Sequence, residues 1–292
     1  MTTAIQYVVD ALSLASLYAL IALGIAMVFG IMQLVNFAHG EIVMLGAYAL
    51  FELTGQPLVV VILGTLASGA FVALVMERVA FRPVRRSNPT TLLVTSFAVS
   101  VLLQNVVIST YSSFPKTVAL PSFLDSPYSI GHIQISKNTI ITAVTTVTLL
   151  VSLGLFLKKT PLGTQMRAAA ENFTMARLLG VPANRVIATA FVISGILAGT
   201  VSVLLVWETG SIGPSMGTAP VLVGFVATVI GGMGSLAGAA LGGFLLGFVT
   251  VAFQAWLPLG LRDFRDAFAF GVVILILVIR PQGLFGSSGG RV

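Results

Sequence analysis

KKTPLGTQMRAAAENFTMARLLGVPANR, residues 158–185, is the one long polar interval in an otherwise apolar chain. It carries five basic residues, Lys158, Lys159, Arg167, Arg177 and Arg185, against the single acid Glu171. On either side lie the apolar runs 139–157 and 186–206, each long enough to cross a bilayer. A loop of this charge between two spans belongs on the cytoplasmic side. Pro161 and Gly163 break the preceding helix. The spacing of Met166, Ala169, Phe173, Ala176 and Leu179 then predicts an amphipathic helix, with Arg167, Glu171 and Asn172 off its apolar face, until Gly180 and Pro182 stop it. Such a helix is either a docking surface for a soluble partner or a connector resting in the headgroup layer.

Outward from this loop the chain is greasy: 57% of its 292 residues are hydrophobic and 8% charged, more apolar surface than a water-soluble domain tolerates. The runs extend from end to end, which predicts one all-α domain over 1–292, a polytopic transmembrane helical bundle. A barrel would alternate over segments of about ten residues. The net charge of +6 does not point to nucleic acid, because the basic residues gather in short intervals: Arg78, Arg82, Arg85 and Arg86, the central loop, and Arg280 and Arg291. The positive-inside rule accounts for them, leaving Lys116, Lys137, Arg262 and Arg265 for the other side. Without cysteine the chain uses neither disulfides nor thiolate metal sites. Met1-Thr2-Thr3 supplies no positive n-region and the run 5–29 exceeds a signal h-region, so it is expected to be a retained span.

After that span comes GIMQLVNFAHGEIVMLGAY, 30–48, where Gln33, Asn36, His39 and Glu41 interrupt the hydrophobicity. Polar groups at membrane depth are costly, so this cluster must face protein or a wet cavity, with a backbone break expected around Gly40. Whether 30–53 crosses or re-enters is left open by the pattern. Spans follow at 58–76, 90–110, 139–157 and 186–206, with an external loop at 111–137. The run 218–230 is short for a crossing and ends in GGMGSLAGAALGG. It predicts a half-helix that dips in from outside, breaks at Gly231-Gly232 and returns through 236–256. Gly234, Gly238 and Gly242, then Gly243 and Gly247, recur at the four-residue spacing that lets helix backbones approach closely. With a last span at 264–279 the count is about eight membrane segments, including broken or re-entrant half-helices. The first Lys or Arg is Arg78, so charge does not fix the side of residue 1.

His39 and Glu41 complete neither a metal site nor a catalytic dyad, since the other histidine, His132, falls in the external loop. Residues two apart on a helix point about 200° apart, so they share a face only where the helix is interrupted. With Asn36 they read either as part of a pathway or hinge, or as a structural cap inside the bundle. Gly231 and Gly232 read as close packing and as a broken-helix element of the same path. Arg262, Asp263, Arg265 and Asp266 form an expected ion-pair cluster at the outer mouth, or a contact for an extracytoplasmic partner. The chain has no Gly-Lys pair and hence no P-loop, so any ATP is hydrolysed by another chain.

Four stretches, ALGIAMVFGIMQLVNFAHGEIVMLGAY, ERVAFRPVRR, RAAAENFTMARLLGVPANRVIATAFVISG and VIGGMGSLAGAALGGFLLG, closely resemble in content and order the permease subunits of bacterial branched-chain amino-acid ABC importers, of the LivH type. The resemblance covers nearly the whole chain. It implies a multi-pass permease of the bacterial inner membrane that pairs with a second, related permease. Such a permease sits on two cytoplasmic ATPases, which bind the ATP and magnesium, and takes substrate from an extracytoplasmic binding protein. It also places the ATPase-coupling segment around Arg167, Glu171, Phe173, Arg177 and Gly180, although the Glu171 to Gly180 spacing departs from the EAA-x3-G signature of another importer class. Leu, Ile and Val are the expected cargo, with urea, short amides or other amino acids as alternatives. An ion-coupled secondary transporter would need paired intramembrane charges, which the spans lack away from their ends.

Overall fold

The computed structural model describes residues 2–33, 35–85, 87–119, 121, 123, 127–130 and 133–285. Arg86, Asp125, His132 and Arg291, on which some expectations fall, lie outside them. The chain folds into α1 (Thr2–Met32), α2 (His39–Glu52) and α3 (Leu58–Met76), the last running through a π-helical turn, Glu77–Phe81, into the short α4 (Arg82–Val84). Next come α5 (Pro89–Tyr111), α6 (Lys137–Lys159), α7 (Pro161–Glu171), α8 (Phe173–Leu178) and α9 (Ala183–Thr209). After these stand α10 (Thr218–Gly231), α11 (Leu236–Trp256), a 3-10 turn at Leu259–Phe264, and α12 (Arg265–Ile279). Four tiny strands, β1 (Lys116–Thr117), β2 (Tyr128–Ile130), β3 (Ile133–Ile135) and β4 (Ser211–Ile212), make two antiparallel pairs, β1 with β4 and β2 with β3. Local chemistry sets several of the helix starts. Ser136, Thr160 and Ser235 cap α6, α7 and α11 with their side chains, and Pro89 and Pro161 occupy first turns where a missing N–H costs nothing.

Among the described residues six helices are long and apolar enough to cross a membrane, and their burial sorts them. The spans of α1 and α9 are 89% and 72% buried and form the inner posts, while those of α3, α5 and α6 are near 20% buried and turn most of their surface outward (22%, 17% and 22%). Small residues make the inner contacts possible. Gly243 and Gly247 of α11 lie on the backbone of Ala19 and Ala15 in α1, so the two helices run antiparallel at close range, as the glycine spacing predicts.

Following the contacts gives the path. Met32 and Gln33, at the end of α1, share a cavity with Arg85, Arg177 and Arg185, so α1 ends where the basic residues gather and starts at the opposite end. Gln33 adopts φ 52°, a left-handed turn that stops the helix. The chain then climbs back without helical geometry to His39, whose Nδ1 lies 3.2 Å from Ser194 Oγ, midway along α9. From there α2 continues to the opposite end, where Tyr48 packs on Tyr111 and Lys116 sits over Phe51. Residues 30–53 therefore cross, half as irregular chain and half as helix. The break takes in Gln33 and residues 35–38, and Gly40 lies in the first turn of α2.

A second half-helix mirrors this one. Gly217, just before α10, meets the backbone of Gly40 at mid-depth, and α10 runs from there to the basic end, where Met233, Gly234 and Ser235 line a cavity with Lys158 and Arg167. The stretch does not turn back at membrane depth as the pattern suggested. Its 14 residues start at mid-depth, so the break at Gly231-Gly232 is reached only at the basic end. Among the described residues the chain passes between the two ends nine times, six by full-length helices and three by the shorter α2, α10 and α12, against about eight segments expected.

A Cβ on Gly217 would fall onto the Gly40 carbonyl, whereas one on Gly154 of α6 would meet nothing within 4 Å. Gly217→Val is expected to cost about 1–3 kcal/mol by forcing the two half-helix starts apart. Gly154→Ala should be neutral or mildly stabilising. Thermal unfolding of the two purified variants checks this, and equal melting temperatures would show that the Gly40–Gly217 contact carries no stability.

Candidate functional site

The polar cluster of 36–41 sits at the start of α2, and its side chains fan out to four neighbouring helices. Asn36 is 3% exposed and turns its Nδ2 toward Met76 Sδ of α3, 3.9 Å away. His39, 2% exposed, points to α9 and α1. Glu41, 1% exposed, points to α5, where its Oε1 accepts from Ser100 Oγ at 2.7 Å and Gln104 Nε2 at 2.8 Å. Helical geometry from His39 onward keeps His39 and Glu41 on different sides, as two-residue spacing requires. Phe37 stacks on Phe97 of α5, centroids 4.5 Å apart, and tilts against Phe225 of α10 at 5.8 Å, so the aromatic ring joins both half-helices to α5.

The hydrogen bonds define what this cluster can do. The Ser194 hydroxyl donates its one proton to Gly24 O at 2.8 Å, so it can only accept from His39, whose Nδ1 must carry hydrogen. A serine whose proton is committed to a carbonyl is a clamp between α9, α1 and α2, and no nucleophile. Two acceptors remain without a partner, Asn36 Oδ1 and Glu41 Oε2. Each represents a desolvation cost of about 1–3 kcal/mol that the fold tolerates. No group of three His, Cys, Asp or Glu able to hold a metal occurs among the described residues.

The Glu41 donors were not singled out in the sequence, yet a signal existed. Ser96, Ser100 and Gln104 recur at four-residue spacing, one face of α5. Ser194 and Ser202 stand eight residues apart on α9, and Ser202 Oγ donates to Val43 O at 2.6 Å, tying α2 to α9 a second time. Gly231 and Gly232 are not brought to this cluster. Gly231 packs on the backbone of Gly238, and Gly232 (φ 101°) lies against Gly283, where Leu284 N donates to Ile230 O at 2.7 Å. One length of α10, roughly 21 Å at 1.5 Å per residue, separates them from Gly217.

At the basic end, the predicted single helix of the central loop is two. Asn172 closes α7 and caps α8, its side chain accepting from Met175 N at 3.0 Å. Gly180, at φ 87°, ends α8, with Val181 N donating to Ala176 O. The interruption changes which residues face out. Met166, Ala169 and Ala176 are at most 3% exposed and Phe173 packs against the chain's own core, so the predicted apolar face is turned inward. Met175, Leu178 and Leu179 stand out instead, 58%, 77% and 85% exposed, beside the exposed Arg167, Glu171 and Arg177. At the opposite end Arg265 pairs with Asp266 at 3.7 Å and Arg262 Nε donates to Leu257 O, so that cluster braces the turn between α11 and α12.

Comparisons with known proteins agree with this architecture. Residues 7–277 match the family described as branched-chain amino acid transport system / permease component. The chain is 38% identical to the high-affinity branched-chain amino acid transport system permease protein BraD of Pseudomonas aeruginosa, over 97% of this chain and 95% of that one. It is 35% identical to LivH of Escherichia coli, the corresponding permease protein, with the same coverage. Among solved structures it is similar in fold to PsaBC from Streptococcus pneumoniae in complex with Fab, at a TM-score of 0.53 and 14% identity, over 94% of this chain and 92% of that one. A half-helix pair clamped into a polytopic bundle, matched nearly end to end by such relatives, places the chain in the branched-chain amino acid permease family.

Proposed function

We propose that this chain is one permease subunit of an ATP-driven importer that moves Leu, Ile and Val into the bacterial cell across the inner membrane. The near end-to-end likeness to BraD and LivH carries this reading. The positive-inside rule then makes the basic end cytoplasmic and puts the start of α1 outside. Two ATPase subunits dock on that end and supply ATP and magnesium chemistry, a second related permease completes the membrane part, and a binding protein delivers cargo from outside.

The geometry supports a path along α5. The exposed face of α3 in the span is Val59, Val60, Leu63, Ala67, Phe71 and Val75, wholly apolar, as lipid requires. That of α5 includes Thr90, Thr91 and Asn105, whose Nδ2 bonds its own Val101 O. A carboxamide at that depth suits protein or water better than lipid. Behind this face lie Ser100, Gln104 and Glu41, and beyond them the meeting point of α2 and α10. A cargo of no net charge needs transient hydrogen bonds from such a wall and no deep site. Urea, short amides and other amino acids share that neutrality, and the binding protein would set the choice. Glu41, a buried carboxyl at mid-depth, is the feature that an ion-coupled carrier would use.

Uptake of labelled leucine by the complex reconstituted with its ATPases and binding protein is expected to need ATP and to survive collapse of the proton gradient. Uptake by this chain alone, driven by a gradient, would establish the ion-coupled mechanism. On the docking surface, Leu178→Asp should weaken ATPase assembly or uncouple hydrolysis from uptake, while Phe173→Asp, placing a charge in the chain's own core, should lower protein abundance. The reverse pattern would mean that Phe173 makes the contact. Glu41→Gln keeps an acceptor for Ser100 and Gln104 but turns the open Oε2 into a donor. It is expected to reduce uptake about tenfold, the equivalent of ~1.4 kcal/mol, with membrane abundance near normal; parallel loss of both would mark the cluster as a packing element.

A further inference from the structure

The cavity beside the start of α9 has no part in the path along α5. It measures about 860 Å³, within the roughly 300–1,000 Å³ of small-ligand sites, and three membrane spans end on it. Met32 closes Ile5–Met32, Arg85 directly follows Leu58–Val84, and Ala183 opens Ala183–Thr209. The rim therefore lies at headgroup depth. Arg85, Arg177 and Arg185 line it, none of the described residues lining it is acidic, and Ile31 and Ile187 form an apolar wall continuous with the spans. Arg85 donates to Asn184 Oδ1 at 2.5 Å and interacts with the buried Glu77, which also faces Arg78 and Arg82. Arg177 and Arg185 add positive charge from the other flank.

We propose that this cavity binds the phosphate headgroup of an anionic phospholipid. Guanidinium forks suit phosphate oxygens, bidentate and charge-assisted, and basic pockets between span ends on the cytoplasmic side are where such headgroups are held. The apolar wall takes the glycerol and first acyl carbons, which a free phosphate ion would leave wet. A zwitterionic lipid would bring its own cation toward three others.

The assembled importer, equilibrated in vesicles of equal phosphatidylglycerol and phosphatidylcholine and then examined by native mass spectrometry, is expected to retain phosphatidylglycerol in preference. Arg185→Gln should cut that occupancy about fivefold, the share of one surface arginine, with a smaller loss for Arg185→Lys and a larger one when Arg85→Gln is added. Millimolar inorganic phosphate should not displace the lipid. Equal retention of the two lipids, or occupancy unchanged in the arginine variants, overturns the proposal. Displacement by inorganic phosphate reassigns the cavity to a free anion. If Arg185→Gln blocks assembly and the wild-type complex retains no phosphatidylglycerol, the arginines serve an acidic protein surface instead. Should the glutamine variant fail to assemble while lipid is retained, Arg185→Lys, which keeps the charge and loses the fork, decides between these outcomes by its lipid count.

Discussion

A peptide group that leaves helical geometry inside a membrane cannot turn to water for its hydrogen bonds, and two stretches of this chain, Gln33 with 35–38 and 213–217, do leave it. The bundle is arranged to take them in. Asn36 turns to α3, Phe37 packs on α5 and α10, and the two stretches lead to the point where Gly40 and Gly217 touch backbone to backbone. Hydroxyls from neighbouring helices supply cross-links. Ser194 reaches Gly24 O, Ser202 reaches Val43 O, and Thr228 of α10 reaches Ala22 O at 3.2 Å. Each of these donors also lies on a helix whose small residues allow the approach, so glycine packing and polar satisfaction serve one purpose.

The same arrangement joins the two ends of the molecule. α9 begins four residues after Leu179, at the basic end, and passes Ser194 and Ser202 before it reaches Trp207 and β4 at the other. It is therefore bonded to both helices flanking the break, α1 and α2, and chain-linked to α8. A displacement of α8 has a short, mostly helical route to the Gly40–Gly217 contact. Two half-helices meeting end to end are also a joint that can separate without unwinding a continuous helix, which a full-length span could not do.

Much of this was legible in residues and spacing. Apolar runs and basic intervals gave the class and most spans, the glycine series gave a closely packed face of α11 without naming its partner α1, and polar residues at 36–41 gave the cluster. Its neighbours were harder to see. Glu41's partners lie about sixty residues away on α5, and serines inside an apolar run look like tolerated helix residues until something faces them. The central loop misled for a different reason. Apolar spacing from Met166 to Leu179 is consistent with one helix, but an Asn that can cap a second one, here Asn172, turns the face and carries Phe173 inward. The direction of the half-helices was beyond pattern altogether, because an apolar run of 14 residues reads the same whether it starts at a membrane surface or at mid-depth.

What remains at the centre is an imbalance between donors and acceptors. Ser100 and Gln104 both spend their donors on one oxygen of Glu41, and the other oxygen faces none, as does Asn36 Oδ1 on the far side of α2. In a closed, dry bundle such acceptors cost free energy without return. On the proposed path they would meet water or the ammonium of an amino acid in an open state, and the cost would be recovered only then. An acceptor that gains its partner on opening lowers the energy of the open state relative to the closed one, so on the proposed path the unpaired oxygens would favour opening at Gly40–Gly217, against the glycine packing and the serine hydrogen bonds. Transport along the proposed path would depend on the two terms being nearly equal, because a cluster fully satisfied in the closed state would have no reason to open and one fully satisfied by cargo would hold it too long.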